Sequence, residues 1–144
     1  MVESLLSNPL LLAVPLIVAA FAGYVAYRNN FKSRHAAACL TFRSTITSKL
    51  SSLYPLPVTW PSNPEPQLLA VFPELQAAVS QFRRYVPWYR LGKFDRAWLQ
   101  YRSAYQREID VQCYHHYIAF EGQSDPRVTF KTNVDRLLAF AGQP

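Results

Sequence analysis

This chain of 144 residues contains few glycines and few cysteines, and each shortage excludes a class of protein. Its four glycines include none in a GxGxxG or Walker spacing, which excludes a glycine-rich phosphate loop. Two cysteines, Cys39 and Cys113, are too few for the disulfide framework of a small secreted domain and fit reduced thiols in a cytosolic one. If this part of the chain were instead outside the cell, the same two cysteines could form a disulfide. No segment of any length alternates apolar and polar residues, so an all-α chain is expected.

Charge is absent from the run between Leu10 and Tyr27. As a helix this run would rise about 27 Å, close to the roughly 30 Å hydrocarbon core of a bilayer. The sequence therefore predicts an uncleaved transmembrane helix at residues 9–27. The first alternative is a cleaved signal peptide, but its basic start is missing, because residues 1–8 contain Glu3 and no Lys or Arg. The second is a buried core helix, which seldom needs so long an apolar run.

All 15 basic residues follow this run, beginning with Arg28, Lys32 and Arg34. Because Lys and Arg are retained on the cytoplasmic face, residues 1–8 are expected to be external and residues 28–144 cytoplasmic. The excess of positive charge would also attract that domain to anionic lipid headgroups.

Apolar residues recur at steps of three and four along the rest of the chain, as in amphipathic helices. The four predicted faces are Cys39, Phe42, Ile46, Leu50 and Leu53; Leu68, Phe72, Leu75, Val79, Phe82 and Val86; Phe94, Trp98, Tyr101, Tyr105 and Ile109, with a possible continuation to Gly122; and Phe130, Val134, Leu137 and Ala141. No helix breaker separates the first face from the membrane run, so one long helix is expected. Pro73 should begin the firm part of the second helix, and Asp125 should cap the last. Residues 28–144 are predicted to form a bundle of about four helices.

A proline-rich crossing interrupts these helices at residues 54–66, which contain five prolines and Trp60. So many prolines exclude a regular helix and favour an extended segment. We interpret Trp60 as a hydrophobic pin that holds the crossing to the bundle. The alternative is that the crossing is a ligand for a proline-recognition domain.

The best polar constellation for chemistry is Asp110, Cys113 and His116, with His115 beside it. On a helix the first three would share one side and offer a weak candidate metal face. Structural zinc sites usually draw ligands from two separated clusters, and only one is present here. A histidine packed among Tyr114 and Tyr117 is the simpler interpretation. No catalytic residue, metal or cofactor is therefore expected, and a metal-dependent or thiol-dependent enzyme centred on Cys113, His115 and His116 stays as an alternative hypothesis.

A second constellation extends from Phe82 to Arg107, where seven basic residues accompany a single acid, Asp95. Aromatic rings alternate with the basic side chains, so the rings could form a core with a solvated arginine rim. They could also form a surface for a protein, for anionic lipid or, less favourably, for nucleic acid. The candidate interaction residues are Arg83, Arg84, Trp88, Arg90, Lys93 and Arg96. In the membrane run, Ala19 and Gly23 are spaced to let another helix approach closely.

The segments Phe82–Pro87 and Phe94–Tyr101, with their Phe-Asp-x-Ala-Trp-x-x-Tyr motif, resemble a pattern in small uncharacterised bacterial proteins with one N-terminal membrane helix and a helical domain. The resemblance implies a bacterial inner-membrane protein of the same architecture and implies no activity. The leading functional hypothesis is a non-enzymatic, single-pass accessory subunit or scaffold. Its helical domain would dock on a larger membrane complex or on further copies of the chain.

Overall fold

The computed structural model describes the backbone of residues 9–142 and the side chains of residues 13–142, so the predicted external segment at residues 1–8 lies outside the described part. Four α-helices occur within that part: α1 Pro9–Lys49, α2 Glu65–Arg83, α3 Leu91–Arg102 and α4 Pro126–Leu138. Three short 3-10 turns lie at Trp88–Arg90, His115–Tyr117 and Ala139–Ala141. The described residues form no strand, so the all-α class is confirmed.

The chain divides into two compact units between Ala37 and Ala38. Helix α1 is continuous from Pro9 to Lys49, which confirms the prediction of one long helix. In the first unit, residues 14–34 are exposed throughout. Within residues 13–142, whose side chains the structure describes, no helix combines the length and the apolar character that crossing a membrane requires.

The core of the second unit is built from the predicted helical faces. Phe42 of α1 stacks on Phe82 of α2 with ring centroids 4.4 Å apart, and Phe94 of α3 meets the Phe82 ring edge-on at 5.8 Å. Val134 and Leu137 of α4 are also buried. Each such side chain contributes about 1.5–3 kcal/mol when it is removed from water, so these contacts hold the four helical segments together.

Helix α2 begins earlier than expected. The prediction placed its firm start at Pro73, but the helix starts at Glu65 and Pro73 lies inside it. Pro64 occupies the N-cap position and Pro66 the first turn, where a proline is tolerated because its missing N–H is not needed. Leu68 and Leu75, on either side of Pro73, are fully buried. Burial on both sides therefore keeps the helix intact across the interior proline, despite the hydrogen bond lost there.

Helix α3 ends sooner than the spacing of its apolar residues predicted. It stops at Arg102, and Ser103 takes an extended conformation. The expected continuation to Gly122 is wrong for this reason: Tyr105 and Ile109 lie in an irregular loop and are exposed. The loop is closed at its base, where the Ala104 amide donates to the Cys113 carbonyl at 2.8 Å.

The proline-rich crossing connects α1 to α2. Trp60 donates a hydrogen bond through Nε1 to the Tyr117 carbonyl at 2.9 Å and packs against Phe130 at 5.5 Å. These contacts agree with the interpretation of Trp60 as a pin. At the start of α4, the Asp125 side chain accepts a hydrogen bond from the Arg127 amide at 2.9 Å, so the predicted cap is confirmed.

Candidate functional site

The predicted polar constellation is dispersed, because its residues follow the end of α3 and share no helix. The Asp110 carboxylate accepts from Arg107 Nε at 2.9 Å, Cys113 belongs to the closed base of the loop, and His116 lies in the turn His115–Tyr117. Within the described residues, no three His, Cys, Asp or Glu side chains are close enough to hold one metal ion. The sequence pattern misplaced these residues because it extended the spacing of α3 into an irregular loop.

His116 has a structural environment. Its Nε2 atom lies 3.0 Å from the Gln100 carbonyl, and a carbonyl can only accept, so Nε2 carries the proton of the neutral ring. Its Nδ1 atom is buried without a hydrogen-bond partner. Burial lowers the pKa of His116 from its ordinary value, and hydrogen bonding to the backbone opposes this effect in part. The ring also packs on Tyr117 with centroids 3.8 Å apart. His116 thus joins the 115–117 turn to α3 as a neutral imidazole.

An open cleft of about 390 Å³ lies beside this histidine. It is lined by Ala104, Tyr105, His115, His116, Ile118, Phe120 and Gln123. Tyr105 and His115 meet edge to face with ring centroids 6.2 Å apart. Among the described residues that line the cleft there is no carboxylate and no thiol.

The rings of the basic–aromatic stretch divide into two groups. Phe82, Phe94, Trp98 and Tyr101 are buried, and Trp98 stacks on the Tyr101 ring at 5.4 Å. Trp98 Nε1 also donates to the side chain of Gln76 on α2 at 3.1 Å. These rings form the core between α2 and α3, as the interpretation with an arginine rim proposed.

The other group projects into solvent from the turn between α2 and α3. Trp88 is 84 % exposed and Tyr89 66 % exposed, and their rings meet edge to face at 5.9 Å. Three exposed basic residues flank them, Arg84 before the turn and Lys93 and Arg96 after it. We call Trp88, Tyr89, Arg84, Arg90, Lys93 and Arg96 the hairpin tip.

The remaining candidate, Arg83, differs from the hairpin tip. Its guanidinium is bound by Asp95 on α3, so it joins two helices. Arg90 is half-buried, and its guanidinium lies over the Phe140 ring at 4.8 Å. The sequence pattern names Trp88 as a candidate interaction residue but leaves Tyr89 among the other aromatic residues of the stretch. Position in the sequence distinguishes Trp88 and Tyr89 from the buried rings. Both lie between Pro87 and Gly92, outside the three-and-four spacing of either helix.

The first unit carries the other unusual surface. Its exposed large apolar side chains include Leu16 at 71 %, Ile17 at 66 % and Phe21 at 67 %, on several sides of α1. Ala19 and Gly23 are exposed, and a Cβ placed on Gly23 would meet no described atom within 4 Å beyond its chain neighbours and the backbone of its own helix. A helix that is apolar on all sides is typical of segments buried in a large core or in a membrane.

Comparisons with known proteins suggest no function for this chain, so a functional proposal depends on the surfaces of the chain itself. No protein-family model, no curated protein and no solved structure matches this chain.

Proposed function

We propose that this chain is a non-enzymatic, membrane-attached protein whose helical domain is an accessory subunit or scaffold of a larger membrane complex. The proposal rests on the part of α1 that lies in the first unit. There, apolar side chains such as Ile17, Val18 and Phe21 are exposed on several sides of the helix. Each Å² of apolar surface exposed to water costs about 25 cal/mol. A helix that exposes many neighbouring apolar side chains is therefore typical of a surface covered by lipid or by another helix.

The proposed tether uses residues 9–27. It includes Leu10, Leu11 and Leu12, whose side chains lie outside the described residues. Arg28 and Lys32 follow the tether, and the positive-inside rule then places the helical domain on the cytoplasmic side. Ala19 and Gly23 would allow close contact with a helix of the complex.

A metal-dependent or thiol-dependent enzyme is less well supported. Among the described residues, Asp110, Cys113 and His116 form no group close enough to hold one metal ion. The most exposed rings of the second unit, those of Trp88 and Tyr89, lie in the short turn between α2 and α3. Trp, Tyr and Arg are enriched at binding surfaces, so this arrangement supports binding over catalysis.

The tether is tested by membrane fractionation of the full chain followed by alkaline carbonate extraction. We expect wild type to remain in the membrane pellet. Ile17→Asp combined with Val18→Asp places two charges near the middle of the tether, at about 2.5–3.5 kcal/mol each, and should release the protein. The matched control is Leu56→Asp combined with Val58→Asp, which adds the same charges at exposed positions of the second unit and should leave the protein in the pellet. Extraction of the wild type by carbonate would contradict the tether.

The subunit role is tested separately. Membranes containing the untagged protein are solubilised in mild detergent, and the mass at which the chain migrates is measured, with mass spectrometry of its companions. Migration within a defined larger assembly is expected. Migration as a lone monomer, from membranes that do retain the protein, would leave the tether standing and contradict the subunit role.

A further inference from the structure

We infer that the hairpin tip is a binding site for an anionic lipid bilayer, with Trp88 and Tyr89 entering the headgroup layer and Arg84, Lys93 and Arg96 contacting lipid phosphates. This inference goes beyond the proposed tether, since it concerns the second unit alone. It rests on exposure, on charge and on the rigidity of one short turn.

Exposure is the first argument. The tip presents a Trp that is 84 % exposed, whereas Trp98, ten residues later, is 7 % exposed. An indole ring combines a large apolar body with one N–H donor, so it prefers the boundary between water and hydrocarbon to either phase alone. Tyr89 has the same character and touches Trp88 edge to face. Two such rings side by side form a wedge suited to a headgroup layer.

Charge is the second argument. Exposed basic residues precede and follow the wedge along the chain, and the acid nearest to it in the sequence, Asp95, is bound by Arg83 through both of its oxygens. Along residues 13–142, Arg84, Lys93 and Arg96 form no ion pair. Three cations free of acidic partners, around exposed rings, complement a surface of negative charge. Near an anionic bilayer each cation strengthens binding about fivefold, corresponding to about 1 kcal/mol.

Rigidity is the third argument. The Arg90 amide donates to the Pro87 carbonyl at 2.8 Å and closes the turn. The Arg90 guanidinium lies on the Phe140 ring at 4.8 Å and fixes the turn to the core. Trp88 and Tyr89 are therefore presented by an ordered backbone, and little conformational entropy is lost when they insert.

A bilayer fits the tip better than a protein does. A stable protein interface buries about 800 Å² on each partner around an apolar centre, whereas the tip offers two exposed rings on a three-residue turn, with cations before and after it along the chain. Insertion of a small wedge with surrounding positive charge is sufficient for a membrane surface.

The experiment uses the full chain with phosphatidylcholine vesicles and with vesicles that contain about a third phosphatidylserine, each carrying brominated acyl chains. The fluorescence of Trp88 is obtained by subtracting the fluorescence of Trp88→Phe from that of the wild type. We expect the phosphatidylserine vesicles to quench this Trp88 fluorescence and the phosphatidylcholine vesicles to quench it only weakly. The quenching by phosphatidylserine vesicles should fall steeply at high salt.

Two variants of equal charge separate the tip from general basicity. Arg84→Gln with Lys93→Gln should weaken binding to the phosphatidylserine vesicles, measured by quenching of Trp88, more than tenfold. Arg107→Gln with Arg127→Gln also removes two positive charges, but from cations bound to Asp110 and Asp125, and should change the signal little. Equal effects of the two pairs would contradict a site at the tip.

The result that overturns the proposal is a Trp88 signal that stays unquenched with both kinds of vesicle. The same outcome accompanied by protection of Trp88 from acrylamide in the native membrane complex would assign the tip to a protein partner. Flotation of the protein with phosphatidylcholine vesicles reports the tether independently, so failure of the tether and failure of the tip are distinguishable.

Discussion

Arg83 and Asp95 form a two-point ion pair that joins the last turn of α2 to α3. Arg83 Nε donates to Asp95 Oδ1 at 2.9 Å, and Nη2 donates to Oδ2 at 2.9 Å. Side-by-side donation of this kind fixes the relative rotation of two planar groups. The pair therefore sets the register of α3 on α2 beside the buried contact of Phe82 with Phe94.

We predict that Asp95→Asn lowers stability by an amount that depends on pH and salt. Hydrogen bonding from Arg83 holds the pKa of Asp95 below its ordinary value of 3.8. A carboxyl group whose pKa is lower in the folded than in the unfolded chain stabilises the fold at pH values above its unfolded-state pKa. This contribution is lost as the pH falls through its folded-state pKa. Urea unfolding should show a small difference between wild type and variant at pH 6 that shrinks as the pH falls below 3.8, the ordinary pKa of the carboxyl group.

The control for this prediction is Asp95→Asn in the background of Arg83→Gln. Because the partner is already absent there, the second substitution should cost less than it does in the wild type. Both side chains are about half exposed, so 1 M salt should reduce the difference further. Equal costs in both backgrounds would show that the two side chains are not coupled.

We predict that Trp98→Ala destabilises the second unit by about 3–5 kcal/mol. The side chain is 7 % exposed, stacks on Phe72 at 5.9 Å and satisfies the Gln76 amide oxygen. Its removal leaves a cavity and a hydrogen-bond acceptor without a donor. Chemical denaturation measures the change, and Trp88→Ala is the matched control with little expected effect. An unchanged unfolding midpoint in Trp98→Ala would contradict the aromatic core between α2 and α3.

The sequence predicted the buried faces of the helices because burial follows helical spacing directly. Phe42, Ile46 and Leu50 lie three or four residues apart and all are buried. Trp60 was identified as a pin because a large ring among prolines has little reason to occur in a solvated segment. These inferences needed only local pattern and the cost of exposing apolar surface.

The irregular loop after α3 could not be predicted in this way. Tyr105 and Ile109 continue the spacing of α3 by coincidence, and the loop is held by distant partners. One is the Arg102 guanidinium, which donates to the Asp110 carbonyl at 2.7 Å. Another is Asn133 on α4, which donates to the Tyr117 hydroxyl at 3.0 Å. Hydrogen bonds of this kind leave no periodic signal, so the candidate metal face is absent from the described residues together with the helix that was to carry it.

We predict that stability falls below about pH 6.5 because of His116. Burial lowers its pKa in the folded state from the ordinary value of 6.5. As the pH falls through 6.5 the unfolded chain takes up a proton that the folded chain resists, so folding becomes less favourable. Protonation would add an N–H at Nδ1, which is buried without an acceptor.

The measurement for His116 is the urea midpoint between pH 8 and pH 5. His116→Gln should show a flatter profile over this range than the wild type. A wild-type profile that is flat between pH 6.5 and 5 would contradict the buried neutral imidazole.

The final prediction concerns Trp60 and the attachment of the proline-rich crossing. Trp60→Phe keeps a ring against Phe130 but removes the donor to the Tyr117 carbonyl, so we expect a loss of about 1 kcal/mol in the free energy of unfolding. Trp60→Ala also removes the ring and should cost more, about 3 kcal/mol. Leu56→Ala, at a position 68 % exposed in the same crossing, should change stability little. If both Trp60 variants unfold at the wild-type denaturant concentration, the crossing is not pinned, and its prolines become available to a recognition domain as the alternative interpretation requires.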